Sequence, residues 1–227
     1  MTQVKVQAPK KPPARSSKKR KATATKAVHV LLDETGSMSI MKTEAIRGYN
    51  KYLDGLAGED LQIALTKFDS TKVERVHGFV TPKDATRLTD ENYIPGALTP
   101  LYDALATVIR QTEKEITGDA LIVILTDGLE NASHEMTKKS INELIKAQEA
   151  KGWNFLYLGV AVEAWANEAA FAGTNAAQNL SRSTGKRGIM ASMDVATTYT
   201  ARYASSAAGS QVTLSDEEKQ KARDLSN

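Results

Sequence analysis

No cysteine occurs anywhere in the chain. That excludes a disulfide framework, a thiolate metal site and a cysteine nucleophile, so the fold must hold by packing alone, and a reducing, cytoplasmic setting is expected. Long apolar runs are missing too. None approaches the roughly 20 residues a membrane helix needs, and the basic N-terminus lacks the apolar segment of a signal peptide, so no membrane partner is expected. Histidine is confined to His29, His77 and His134, scattered too widely in sequence to suggest a zinc cluster. Neither a Gly-Lys-Ser/Thr phosphate loop nor a Gly-x-Ser-x-Gly elbow is present.

What is present is an uneven distribution of charge. Of the 30 Lys+Arg, nine fall in residues 1–26, with no acid among them. Residues 27–227 therefore carry 21 basic against 27 acidic residues, net −6, although the whole chain is +3. The first 26 residues also contain Pro9, Pro12 and Pro13 and no apolar periodicity, so they read as a disordered basic arm. Such an arm suits nonspecific affinity for nucleic acid or another polyanion, although it has no aromatic residue to stack on bases. A solubilising or targeting tail is the alternative.

At Ala27 the composition changes to Ala27-Val28-His29-Val30-Leu31-Leu32, a run suited to a strand covered on both faces. Leu121–Leu125 repeats that pattern, and Asn154–Val160 supplies another strand. Between them, apolar spacing of three and four predicts helices through Ala45–Leu56, Leu101–Ile109 and Ile141–Ile145. Leu61–Phe68 and Lys72–Val80 flank Asp69-Ser70-Thr71 and read as a hairpin whose second strand is half exposed. A helix over 163–171, an extended piece near 174–180 and a helix over 189–207 complete the alternation. The expected architecture is α/β and doubly wound: a mostly parallel central sheet with one antiparallel edge strand and helices on both faces. The organisation expected is an arm over 1–26, a domain over 27–209, and a polar tail over 210–227 with a short surface helix opened by a Ser215–Glu218 capping box.

In an open parallel sheet, ligands bind beyond the carboxyl ends of the strands. The first apolar strand runs into Asp33-Glu34-Thr35-Gly36-Ser37-Met38, placing oxygen-bearing side chains at alternate positions. The second runs into Thr126-Asp127-Gly128, and Gly96-Ala97-Leu98-Thr99-Pro100 precedes a helix with a hydroxyl free to turn inward. Asp33, Thr35, Ser37, Thr99 and Asp127 form an all-oxygen set suited to a hard cation, Mg²⁺ or Mn²⁺. Taken alone, Asp-x-Thr-x-Ser also suits helix capping. Glu34 is expected to point away from the set into solvent. His134 reads either as a general base near the rim or as a residue in the first turn of a helix capped by Ser133. His29 reads as a hydrogen-bonded core residue. Asp69 and Asp103 suit a hairpin turn and a first helical turn, with an approach to the metal edge as the alternative. Trp153, Trp165, Tyr199 and Tyr203 read as core residues.

These three motifs, in this order, resemble those of the von Willebrand factor A domain, whose metal-ion-dependent adhesion site is written D-x-S-x-S followed by a distant Thr and a distant Asp. The resemblance covers about residues 27–207 and is similar to a soluble bacterial or phage branch. Thr35 departs from the pattern, standing where the family usually has Ser. The resemblance implies a noncatalytic protein-interaction module in which Thr35, Ser37 and Thr99 contact the cation, Asp33 and Asp127 act through waters, and a carboxylate from a protein partner completes the coordination. A metal-dependent phosphatase with Asp33 as nucleophile is the catalytic alternative. Thr35 argues against it, because dehalogenase-type phosphatases carry a second Asp there.

Overall fold

Strand and helix alternate along the chain, and the computed structural model describes residues 25–161, 171–177 and 180–224. The strands are β1 (Lys26–Asp33), β2 (Leu61–Phe68), β3 (Val73–Val80), β4 (Ala120–Thr126), β5 (Asn154–Gly159) and β6 (Leu180–Arg182). The helices are α1 (Lys42–Gly55), α2 (Leu101–Glu115), α3 (Lys138–Glu149), α4 (Gly185–Ser205) and α5 (Asp216–Asp224). A 3-10 turn, Gly36–Met41, leads into α1. The sheet order is β3-β2-β1-β4-β5-β6, with only the β2–β3 pair antiparallel. β1 therefore lies at the centre, where the order of winding reverses, and crevices for ligands open at such points. No helix among the described residues is long and apolar enough to cross a membrane.

The apolar runs are continuous because both faces of each central strand are covered. Val28, Val30 and Leu32 pack with Leu121, Val123, Leu156 and Leu158 under the tyrosines of α1 and α4. Ala27 and Leu31 face the other way with Ile122, Ile124 and Phe155, against α2 and α3. The two-residue period of a strand thus sorts one apolar run into two cores. His29 belongs to the second face. It is buried, with Nδ1 2.7 Å from Thr112 Oγ1 and Nε2 2.8 Å from Thr66 Oγ1, which satisfies both ring nitrogens. Burial, aided by the charges of Arg75 and His77, pushes its pKa well below the ordinary value.

The expected hairpin is present as β2 and β3, and Asp69 closes it by accepting from the amides of Thr71 and Lys72 at 2.6 and 3.1 Å. Trp153, Tyr199 and Tyr203 are buried; Trp165 and nearly all of the helix expected over 163–171 lie outside the described residues. The piece near 174–180 is a short 3-10 turn, Asn175–Ala177, that precedes β6. Residues 1–24 also lie outside, but Lys26, counted above with the arm, belongs to β1. It is 7% exposed and pairs with Asp119 at 2.7 Å. The expected C-terminal surface helix is present as α5. Its capping box is formed, with the Glu218 amide donating to Ser215 Oγ at 3.2 Å and the Ser215 amide to Glu218 Oε2 at 2.8 Å. Leu214 and Ala222 nevertheless join the core beneath α4, so a largely polar helix is anchored by two small contributions.

Candidate metal centre

The carboxyl ends of β1 and β4 lie side by side because Leu32 pairs with Leu125. Asp33 and Asp127 thereby leave adjacent strands at the same level, and the 3-10 turn after β1 folds Ser37 back between them. Ser37 Oγ donates to Asp127 Oδ1 at 2.7 Å. Thr35 Oγ1 lies 3.4 Å from Ser37 Oγ and accepts from Thr99 Oγ1 at 3.3 Å. All five residues singled out in the sequence meet here, although Thr99 and Asp127 are far from Asp33 along the chain.

Asp33 is the deepest of them and fully buried. Its Oδ1 accepts from the Thr35 amide at 2.7 Å and its Oδ2 from Thr126 Oγ1 at 2.5 Å. Burial pushes its pKa up to about 7, against the opposing hydrogen bonds from Thr126 and Thr35 and with a smaller push from the Asp127 charge. Its carboxylate orients the turn, with one oxygen on the Thr35 amide and the other on the Thr126 hydroxyl.

The loop bearing Thr99 is tied down from both sides. The Gly36 amide donates to the Ala97 carbonyl at 3.1 Å, and the Gly96 amide to the Glu34 carbonyl at 2.9 Å. Ala97 takes φ 60°, a left-handed conformation that costs a non-glycine residue roughly 1 kcal/mol. The Asn131 side chain accepts from the Thr99 amide at 2.9 Å, and the Asn131 amide donates to the Thr99 carbonyl at 3.1 Å. Tyr93 Oη donates to the Asp33 carbonyl at 2.6 Å.

Glu34 corrects the sequence reading. It is fully buried rather than solvated. Its Oε1 accepts from Lys67 Nζ at 2.9 Å and from the Ile94 amide at 2.6 Å, while Oε2 lies 3.3 Å from Lys72 Nζ. Lys67, 3% exposed, also donates to the Asn92 carbonyl. The residue pointing away from the hydroxyl cluster thus enters an ion pair that holds the 92–98 loop against β2.

His134 is corrected as well. It lies in a loop, not in a helix, and its amide donates to Asp103 at 2.7 Å. Ser133 does not cap α3; its hydroxyl donates to Glu130 at 2.7 Å and accepts from the Asp103 amide in the first turn of α2 at 3.2 Å, and the cap of α3 is Thr137, with Ser140 completing a reciprocal pair. Asp103, in the first turn of α2, gathers the amides of His134, Glu135 and Met136. Its task is to bind the 130s loop to α2.

The donor set suits a hard divalent ion. Among the described residues no three His, Cys, Asp or Glu side chains cluster to hold a metal, so any ion here depends on hydroxyls. The five groups are all oxygens, the chemistry such ions favour. Gly128 keeps the space between those hydroxyls open: a Cβ there would stand 2.9 Å from Thr99 Oγ1 and 3.6 Å from Ser37 Oγ. The residues fit Mg²⁺ or Mn²⁺ and do not suit a soft metal. Sequence reasoning missed Thr126, Lys67, Tyr93, Glu130 and Asn131. For Thr126 the signal was there, a hydroxyl one residue before Asp127 at a strand end.

No protein-family model matches the sequence and no curated protein is similar to it. Similarity lies in the structure. The vWF domain of the type V pili tip protein Mfa5 from Porphyromonas gingivalis superposes with a TM-score of 0.57 at 12% identity, covering 78% of this chain and 95% of that one. A von Willebrand factor type A protein from Catenulispora acidiphila gives 0.59 at 12% identity over 78% of this chain and 43% of its own. The PilB minor pilin from Streptococcus sanguinis gives 0.54 at 11% identity over 90% and 63%. This chain thus spans less than two thirds of the pilin and of the Catenulispora protein. At these identities the likeness is one of fold: the chain has a von Willebrand factor A-like fold of the doubly wound α/β class, as its motifs implied.

Proposed function

We propose that this domain is a noncatalytic protein-binding module whose contact point is a Mg²⁺ or Mn²⁺ ion held by Asp33, Thr35, Ser37, Thr99 and Asp127. The observation that carries this reading is the convergence of three hydroxyls between two carboxylates at the carboxyl ends of β1 and β4. When bound, the ion would offer an open position to a carboxylate oxygen of a protein partner. Asp33 holds the Thr35 amide and so sets the course of the turn. Asp127 orients the Ser37 hydroxyl, and Asn131 fixes the backbone of Thr99. Two carboxylates balance a divalent charge without exceeding it, which leaves room for one more anion.

A binding role agrees with the structural neighbours, which include a pili tip protein and a pilus adhesin. The phosphatase alternative is weakened by the enclosure of Asp33 beneath Thr35 and Thr126. The test is a Mn²⁺ titration by calorimetry, followed by capture of partners in Mg²⁺ and in EDTA. One bound equivalent, abolished in Ser37→Ala and Asp127→Ala proteins that still unfold cooperatively, supports the reading. Equal capture in EDTA overturns it.

A further inference from the structure

Single exposed aliphatic side chains are ordinary on a protein surface, but several gathered on one rim mark a contact face. Among the described residues the large exposed apolar side chains are Ile40, Ile94, Leu98 and Leu129, with exposures of 74, 63, 57 and 42%. Ile40 follows Ser37 by three residues, Leu98 immediately precedes Thr99, and Leu129 follows Asp127 by two. Ile94 stands farther along the loop whose amide Glu34 holds. Ile40, Leu129 and Val160 line a hollow of about 500 Å³ that also contains Ser37, Thr99 and Asp127.

The charge around this hollow is equally informative. Residues 35–41 and 93–102 contain no charged side chain. Two carboxylates that come close are turned elsewhere: Glu34 points inward to Lys67, and Glu130 accepts from the amides of Tyr102, Ala132 and Ser133, while the exposed Lys186 and Arg187 follow Gly185 on the remaining side. A ligand charge placed against residues 35–41 and 93–102 would lose water and gain no counter-ion, whereas one placed at the hydroxyl floor meets the proposed cation. The chain's own basic arm carries no carboxylate to offer.

We infer that this face binds a protein segment carrying one acidic residue flanked by bulky apolar side chains. The acid enters the hollow, and its neighbours cover Ile40, Leu98 and Leu129. This rests on the cation reading above, and the experiment separates the two. A displayed library of random dodecapeptides is selected on the full chain in Mg²⁺ and eluted with EDTA, while Mn²⁺ binding is measured independently by calorimetry. The expected pool has Asp or Glu with Leu, Ile, Phe or Trp within two positions. Peptides from it are expected to bind Ile40→Ser and Leu129→Ser proteins about tenfold more weakly, with Mn²⁺ affinity and unfolding temperature unchanged. A pool of acids among polar neighbours, an empty pool, or full affinity in the Ile40→Ser/Leu129→Ser double variant overturns the apolar rim while the cation reading stands. Absence of Mn²⁺ binding overturns both.

Discussion

Replacing Glu34 by Gln should leave an ammonium stranded inside the domain. Gln keeps the volume of the side chain and an oxygen for the Ile94 amide, so the change isolates the charge. Lys67, 3% exposed, then faces only a neutral amide oxygen at the old Oε1 position, the Asn92 carbonyl and Glu74, whose Oε2 is 3.6 Å away and part-exposed. Removing one partner of a buried pair costs about 3–5 kcal/mol; the residual help from Glu74 puts the expected loss near the lower end. Lys67→Met leaves Glu34 with Lys72 Nζ at 3.3 Å and the Ile94 amide, and about 2 kcal/mol is expected. The double variant buries no charge at this point. It should fall short of the sum of the singles by at least about 2 kcal/mol, the mark of direct coupling. Urea unfolding followed by circular dichroism measures all four proteins, with stability read from the midpoint at constant slope. Additive effects, or a loss below about 1 kcal/mol in Glu34→Gln, would mean that water and Glu74 already solvate Lys67 and that the latch reasoning is wrong.

Three further outcomes are expected. His29 stays neutral in the fold while the unfolded chain takes up a proton below pH about 6.5, so its contribution to stability is present above that pH and is lost on acidification at up to about 1.4 kcal/mol per pH unit. The difference between the chain and His29→Gln in urea midpoints from pH 7 to 5 isolates this slope, and parallel curves would refute it. Gly128→Ala should displace the Thr99 hydroxyl and weaken Mn²⁺ binding at least about tenfold, with an overpacking cost of about 1–3 kcal/mol in stability; wild-type affinity by calorimetry would show that the gap is not needed. Fluorescence anisotropy with a DNA duplex should show binding that weakens steeply with salt and disappears in a 26–227 truncation, because that remainder is net acidic. Retention by the truncated chain would remove the arm's role.

Much of the framework was legible because the central strands are covered twice. That makes their apolar runs continuous and hard to mistake, and it places the Asp-x-Thr-x-Ser turn, Thr99 and Asp127 at one end of the sheet by topology alone. Glu34 was misread because alternation describes a strand only while both neighbours are strands. Asp33 pairs with Phe68 as its strand ends, and the next side chain runs under a loop whose path depends on Lys67, a partner no local pattern reveals. His134 was misplaced because Glu130 captures Ser133, the expected cap, and α3 opens four residues later at Thr137. The docking of α5 was invisible for a simpler reason: one buried Ala222 in a nine-residue polar helix makes no periodic signal.

The hydroxyl contacts join distant parts of the chain. Thr99 meets Thr35 across 64 residues and Ser37 meets Asp127 across 90. Neither contact can form until β1, the 92–98 loop and β4 have been brought into register, so the cluster exists only once the long chain closures are complete. Fragments and half-assembled species lack it. Any ligand of the cluster selects the finished domain over every precursor, and its occupancy becomes a clock for the last stage of folding.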